Sequence, residues 1–450
     1  MDKKRIISFV AASFAMVFVV NGQVSFVGDA AHKVIVEKPT SSTGLDMVYV
    51  VYNTQNVKMQ YVATNADATV TWYKYGSLGG AYAEPLTDVK RNGGVTELNN
   101  VLPNTGYIIE EGTKRTYLWV VNYSDYYLHL QSIAANNEAD CGSCVLNVEG
   151  KGNDIVYYTI NGGLKKLNRQ IELSYNTLEW SQEALGWVQV QQVEKLSEFK
   201  PVISLQAPYC DTRFEISGDA FLKQWGEAQS VSSGECEAQA VAVNAVVTQE
   251  QKDADNQKGG SEGSENLGGS APATINFVGY PTDAADRCEW QMSYTPDFEN
   301  VEAQYTEREL QKIFEEAGTT FWRFVGTNSA SGCHSESDIY TVSIGESSLQ
   351  CPNAFSPGTT EGVNDEWKVS YKSIVKFKCW IFNSWGIQLC EFTDPSQGWD
   401  GKYKGKLVSP GVYYYVIEAE GSEGKKYKLK GDINIVGLKS SKHTTDDKGE

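Results

Sequence analysis

Five short runs lying close together decide the fold: Cys351–Gly358 (CPNAFSPG), Gly362–Trp367 (GVNDEW), Trp380–Gly386 (WIFNSWG), Trp399–Gly401 (WDG) and Ser409–Ile417 (SPGVYYYVI). They read as short strands joined by tight turns. Phe377, Cys379 and Ile381 fall on one side of an extended segment and Lys378, Trp380 and Phe382 on the other, a period of two rather than 3.6. Asn383–Gly386 supplies a turn and Leu389–Phe392 resumes the run, so Phe377–Phe392 is expected as a hairpin. Asp400-Gly401 is a turn pair, because glycine takes positive φ without steric cost. Pro410-Gly411 is expected as a type II turn, and the aromatic strand Tyr413–Ile417 follows it.

The order of these motifs over about Leu349–Gly437 resembles the gliding-motility-associated C-terminal domain family, a type B-like C-terminal sorting domain of type IX secretion. The resemblance implies a small C-terminal β-sandwich, recognised once the chain reaches the periplasm and used to take it across the outer membrane. The candidate sorting positions are the residues on the family motifs: Asn353, Phe355, Pro357, Asn364, Asp365, Phe382, Asn383, Trp385, Gly386, Trp399, Asp400, Gly401, Pro410, Gly411 and Tyr413. Each is first a folding residue. Where the family usually has Asn-Gly-Asp-Gly, this chain has Gly358-Thr359-Thr360-Glu361-Gly362, with Asn364 and Asp365 just beyond.

At the other end, Lys3, Lys4 and Arg5 precede an apolar run, Ile6–Val20, closed by Asn21-Gly22-Gln23. A positive flank, a run short of the roughly twenty residues of a membrane span, and small residues at the break predict a signal peptide cleaved after Gly22. The formal net charge is −18. Such a surface disfavours nucleic acid and anionic lipid and suits an exported protein, secreted or held at the cell surface or outer membrane. With 12% aromatic residues and many Val, Thr and Tyr, the composition favours strands.

The expected fold class is all-β: several immunoglobulin-like β-sandwich domains in tandem with a C-terminal β-sandwich sorting domain. The segments are 1–22, signal peptide; 23–140, a β-sandwich; 141–248, a β-rich domain; 249–273, a flexible acidic Gly/Ser linker; 274–346, an immunoglobulin-like domain; 349–437, the sorting domain; and 438–450, a polar tail. Strands are expected at Met47–Tyr52, Ala68–Tyr75, Tyr126–Ser132, Ala238–Thr248 and Thr319–Thr327, among others. Glu302–Ala317, with Leu310, Ile313 and Phe314 among charges, reads as a short amphipathic helix.

All nine Cys follow residue 22, where export permits disulfides. Cys379 and Cys390 are equidistant from a turn centred on Ser384-Trp385, which predicts a cross-strand pair. Cys288 with Cys333, and Cys210 with Cys236, bracket small units. Cys141 and Cys144 form a C-x-x-C read as a loop disulfide or two structural thiols, with neither the βαβ context of a redox motif nor the second ligand pair of a zinc site. Cys351 is left over, with Cys333 or Cys288 as an alternative partner.

Chemistry is sparse. His32, His129, His334 and His443 are scattered, and there is no G-x-S-x-G, HExxH or phosphate loop. No cofactor or metal is expected and the chain reads as a non-enzyme. The favoured function is a modular surface protein, either an adhesin, an envelope component or an accessory of the type IX secretion or gliding motility machinery. Its expected partners are the outer-membrane components of that machinery, with other surface proteins or glycans beyond them. The alternative is a secreted carbohydrate-binding or carbohydrate-hydrolysing protein in which Trp180, Trp187 and Trp225 line a cleft of the middle domain.

Overall fold

The computed structural model describes residues 23–136, 141–251, 254–259, 267–359 and 362–437. The signal-peptide and polar-tail readings lie outside them. The fold is almost entirely β, its α-helix among the described residues being the single short Ala220–Trp225. No helix among these residues is long and apolar enough to cross a membrane. The described residues fall into two compact units, those within 23–178 with 189–238, and those within 179–188 with 239–437.

In the first unit, the runs MVYVV (Met47–Val51) and the end of Lys114–Asn122 are apolar on consecutive residues, which in a strand means that both faces are covered. They are paired interior strands, second and third in a six-stranded sheet ordered Ile35–Glu37, Met47–Val51, Lys114–Asn122, Thr105–Glu111, Val70–Tyr75, Glu84–Pro85. One face of this sheet puts Tyr49, Trp72, Ile109 and Leu118 against Met59, Tyr61 and Leu98 of a four-stranded sheet. The other face presents Val48, Val50, Trp119 and Val121 to a core that continues through Leu146, Ile171, Leu173, Phe214 and Phe221. The first two sandwiches thus share one hydrophobic core rather than standing as separate beads. At roughly 1.5–3 kcal/mol for each large apolar side chain buried, that shared layer is a major stabilising contribution.

Two boundaries move as a result of strand pairing. His129–Asn136, expected to close the first unit, pairs instead with Ser143–Lys151 and so belongs to the second sandwich. Val243–Gln249 pairs with Ala273–Pro281, and so opens the third sandwich rather than closing the second. The stretch read as a linker also carries order: Leu267–Gly269 pairs with Tyr340–Ile344, and the Asn256 amide donates to the carbonyls of Val369 and Pro395, each at 2.8 Å.

In the third sandwich, Ala273–Pro281 alternates cleanly, with Ile275 and Phe277 inward onto Trp290, Trp322, Phe324 and Val342. The helix expected over Glu302–Ala317 is absent, and its residues form the strands Ala303–Tyr305 and Glu309–Phe314. Leu310, Lys312 and Phe314 are half-buried at every second position; Lys312 holds an inward place, which hid the period of two.

Candidate functional site

The C-terminal domain is built on a five-stranded sheet ordered Ala354–Phe355, Lys426–Ile435, Gly411–Gly421, Ile374–Phe382, Gln388–Phe392. Phe377, Cys379 and Ile381 are buried while Lys378, Trp380 and Phe382 face outward, as the alternation demands. The candidate sorting positions fall into three physical groups.

Phe355, Pro357 and Trp399 are buried. Trp399 pairs with Trp367 in a separate two-stranded sheet, its indole donates to the Lys402 carbonyl at 3.0 Å, and its ring packs on Phe355 and Tyr413. Tyr413 donates its hydroxyl to the Ser409 carbonyl at 2.7 Å. A second group sets turns. Asp365 accepts from the Gly358 and Gly362 amides at 3.0 and 2.7 Å, while Asn364 and Gly401 sit at positive φ. A Cβ on Gly401 would come within 2.9 Å of Pro357. Asn383 accepts from Trp385 and Ile387, and Gly386 completes that turn at φ 76°. Asp400 accepts from the Lys402 amide. Gly411 corrects an expectation, since at φ 158° it opens the strand Gly411–Gly421 after Pro410 instead of forming the second corner of a type II turn. The third group is exposed: Asn353, and above all Trp385, whose side chain stands 84% exposed at the hairpin tip next to exposed Ile387.

The cysteines depart from the expected pairings. Cys144, Cys210, Cys236, Cys288, Cys351, Cys379 and Cys390 are free thiols, whereas Cys141 and Cys333 are not among the free thiols. Strand register gives the reason in two cases. Cys379 faces Phe392 and Cys390 faces Ile381, because the register shifts near Phe382 and the turn is not symmetric about Ser384-Trp385. Cys236 bridges Thr212, two residues out of step with Cys210. Cys144 lies near Cys236 instead of closing the C-x-x-C with Cys141, and Cys288 lies by Arg308. Burial, with Cys351 and Cys390 close by, pushes the Cys379 thiol far above its ordinary value, which makes it unreactive.

Trp180 and Trp187 belong to the second unit and Trp225 to the first. Trp180 packs on Trp187 and Tyr280, and the Trp187 indole donates to the Tyr280 carbonyl at 2.9 Å. Trp225 is engaged elsewhere, edge-on to Tyr52 and Tyr123, with its indole donating to the Lys33 carbonyl.

Beside Trp225 is a constellation that the sequence did not reveal. His32 stacks on Tyr52 with ring centroids 3.7 Å apart. Its Nδ1 lies 2.9 Å from Asp29 Oδ2 and its Nε2 2.8 Å from Glu227 Oε1, while Tyr52 donates to the other Glu227 oxygen. Both nitrogens face carboxylates, so both must donate, and the ring is held as an imidazolium. Burial lowers the His32 pKa, but the hydrogen bonds and charges of Glu227 and Asp29 outweigh it and raise the value above the ordinary 6.5. The bonds from His32 and Tyr52 hold Glu227 below its ordinary 4.5. With both ring nitrogens engaged by carboxylates, the arrangement acts as a latch between Asp29 and Glu227. Among the described residues no group of three or more His, Cys, Asp or Glu is placed to hold a metal.

The latch has a pH signature. The His32 contribution is full below about pH 6.5 and lost as pH rises through the raised folded value; that of Glu227 is full above about pH 4.5 and lost below it. Between those limits the latch is expected to add about 1 kcal/mol, after allowance for solvent screening at Glu227. Urea midpoints of wild type and His32→Gln should therefore differ at pH 6 and converge by pH 9. Parallel curves across that range would rule the imidazolium out as the cause.

Comparison with known proteins accords with the C-terminal reading. Residues 349–435 match the CHU_C Type IX secretion signal domain, and residues 132–233 match the fibronectin type III domain. No curated protein matches the sequence. Among solved structures, the chain is similar to the tetra-tandem repeat in the extending region of a large adhesion protein, at 12% identity and TM-score 0.21, covering 86% of this chain and 97% of that one. It is similar to Sidekick-1 immunoglobulin domains 1–5 at 9% identity and TM-score 0.25, covering 87% and 78%. It is also similar to dimeric latent PorU from Porphyromonas gingivalis at 9% identity and TM-score 0.15, covering 72% of this chain and 35% of that one.

Proposed function

We propose that this chain is a non-enzymatic, exported modular protein of the cell surface, an adhesin, envelope component or accessory of type IX secretion or gliding, whose C-terminal domain directs its passage across the outer membrane. The observation that carries the reading is the type IX secretion signal domain at residues 349–435, folded on its own sheet and core. The partners on this reading are the outer-membrane components of the type IX machinery. Removing Leu349–Glu450 should leave the protein in the periplasm of a secretion-competent strain; a truncated chain that still reaches the surface would sink the proposal.

Within the domain, folding and recognition separate at Trp385. So exposed a side chain contributes little to stability, so Trp385→Ala should shift the domain's stability by less than about 0.5 kcal/mol. If the hairpin tip is read by the exporter, as large exposed aromatics at interfaces often are, surface-accessible protein should nonetheless fall about tenfold. Unchanged export of a normally folded Trp385→Ala protein would remove the tip from the recognition surface.

A further inference from the structure

The third sandwich has an open cleft of about 380 Å³, within the roughly 300–1,000 Å³ typical of small-ligand sites. It lies where the strand Ala303–Tyr305 of one sheet and Glu309–Phe314 of the other part from each other. The floor is buried apolar core, including Trp322, Val342 and Ile344. Tyr305 stacks on Trp322 with centroids 5.7 Å apart, forming an aromatic wall, and Tyr294 stands 63% exposed at the rim.

The polar groups define what can enter. Lys312 donates to the Tyr305 hydroxyl at 2.6 Å and lies 4.4 Å from that ring's centroid, so its charge is already engaged yet still repels a cation. Glu315 and Glu316 line the cleft with exposed carboxylates, which repel an anion and accept hydrogen bonds. Thr320 accepts from the Trp322 indole at 2.9 Å, which leaves its own hydroxyl proton to donate inward. A neutral ligand with a flat C–H face and several hydroxyls meets all of these demands.

From this chemistry we infer that the cleft between Tyr305 and Phe314 binds a pyranose unit of a neutral glycan, stacked on the exposed Tyr294 ring with its hydroxyls on Glu315, Glu316 and Thr320. This goes beyond the export reading and does not depend on it. It also moves carbohydrate recognition away from Trp180, Trp187 and Trp225.

The test uses the chain from Gln23 to Glu450 with labelled methyl groups, titrated with cellohexaose, xylohexaose, mannohexaose and chitohexaose. At least one should shift the Met292, Ile313 and Ile344 methyl resonances saturably. Tyr294→Ala, a change at an exposed rim position, should weaken that binding by about tenfold while the remaining methyl spectrum stays unchanged. Glu316→Gln, which keeps the shape, should weaken it severalfold. The inference is overturned if none of the four oligosaccharides moves these methyls at millimolar concentration, or if binding survives Tyr294→Ala and Glu316→Gln undiminished.

Discussion

Trp399→Ala is expected to cost the C-terminal domain about 3–5 kcal/mol, most of what a domain of this size has to spare. The side chain is 1% exposed and packs on Phe355 and Tyr413, so truncation opens a cavity beside those rings. It also frees the Lys402 carbonyl that fixes the turn after Gly401. Thermal melting followed by near-ultraviolet circular dichroism should show the transition of the second unit broaden or shift down, with that of the first unit in place. Export should fail with it. Trp399→Phe, which refills most of the volume without the indole N–H, should recover part of both losses. A Trp399→Ala protein that melts like wild type would mean that the turn, and not the indole, organises this end of the domain.

The second large effect is expected in the first unit, at Arg169. Its guanidinium is 1% exposed and faces Asp219, which is fully buried. The same side chain donates to the Asn153 and Tyr126 carbonyls, while Asp219 accepts from the Tyr123 hydroxyl at 3.1 Å and from the Leu222 amide at 3.0 Å at the start of the short helix. One ion pair therefore ties the turn Tyr123–Tyr126 of the first sandwich to a loop and a helix start of the second. Arg169→Met strands the carboxylate in the core and should cost about 3–5 kcal/mol. Because the penalty belongs to the charge left behind, Arg169→Met combined with Asp219→Asn should be milder than Arg169→Met alone. Urea unfolding of the two variants decides it: if the double variant is the weaker, the hydrogen bonds of Asp219 matter more than its charge.

How much of this was legible in the sequence depends on the range of the interaction. The turn at Asp400-Gly401 and the alternation Phe377–Phe382 depend on residues a few positions apart, and both were readable. Two local signals misled. Leu310, Ile313 and Phe314 have helical spacing, yet in the strand the inward places go to Leu310, Lys312 and Phe314; a lysine shielded by Tyr305 broke the apolar pattern. Cys379 and Cys390 looked opposed only on the assumption of a symmetric turn, which the register shift removes. The His32 latch and the Arg169 pair were out of reach, because Glu227 lies 195 positions from His32 and Asp219 lies 50 from Arg169. No local pattern announces such partners. For His32, the one available hint was its spacing from Asp29 within a turn-rich stretch.

The apolar layer common to the first two sandwiches has a mechanical corollary. In a string of beads under tension, each bead can give way singly, releasing slack in small steps that spare its neighbours. Here Val48, Val50, Trp119 and Val121 are clamped by residues from farther along the chain. Pulling should thus make the pair yield in one larger event, with a longer gain in contour length than either sandwich would release alone.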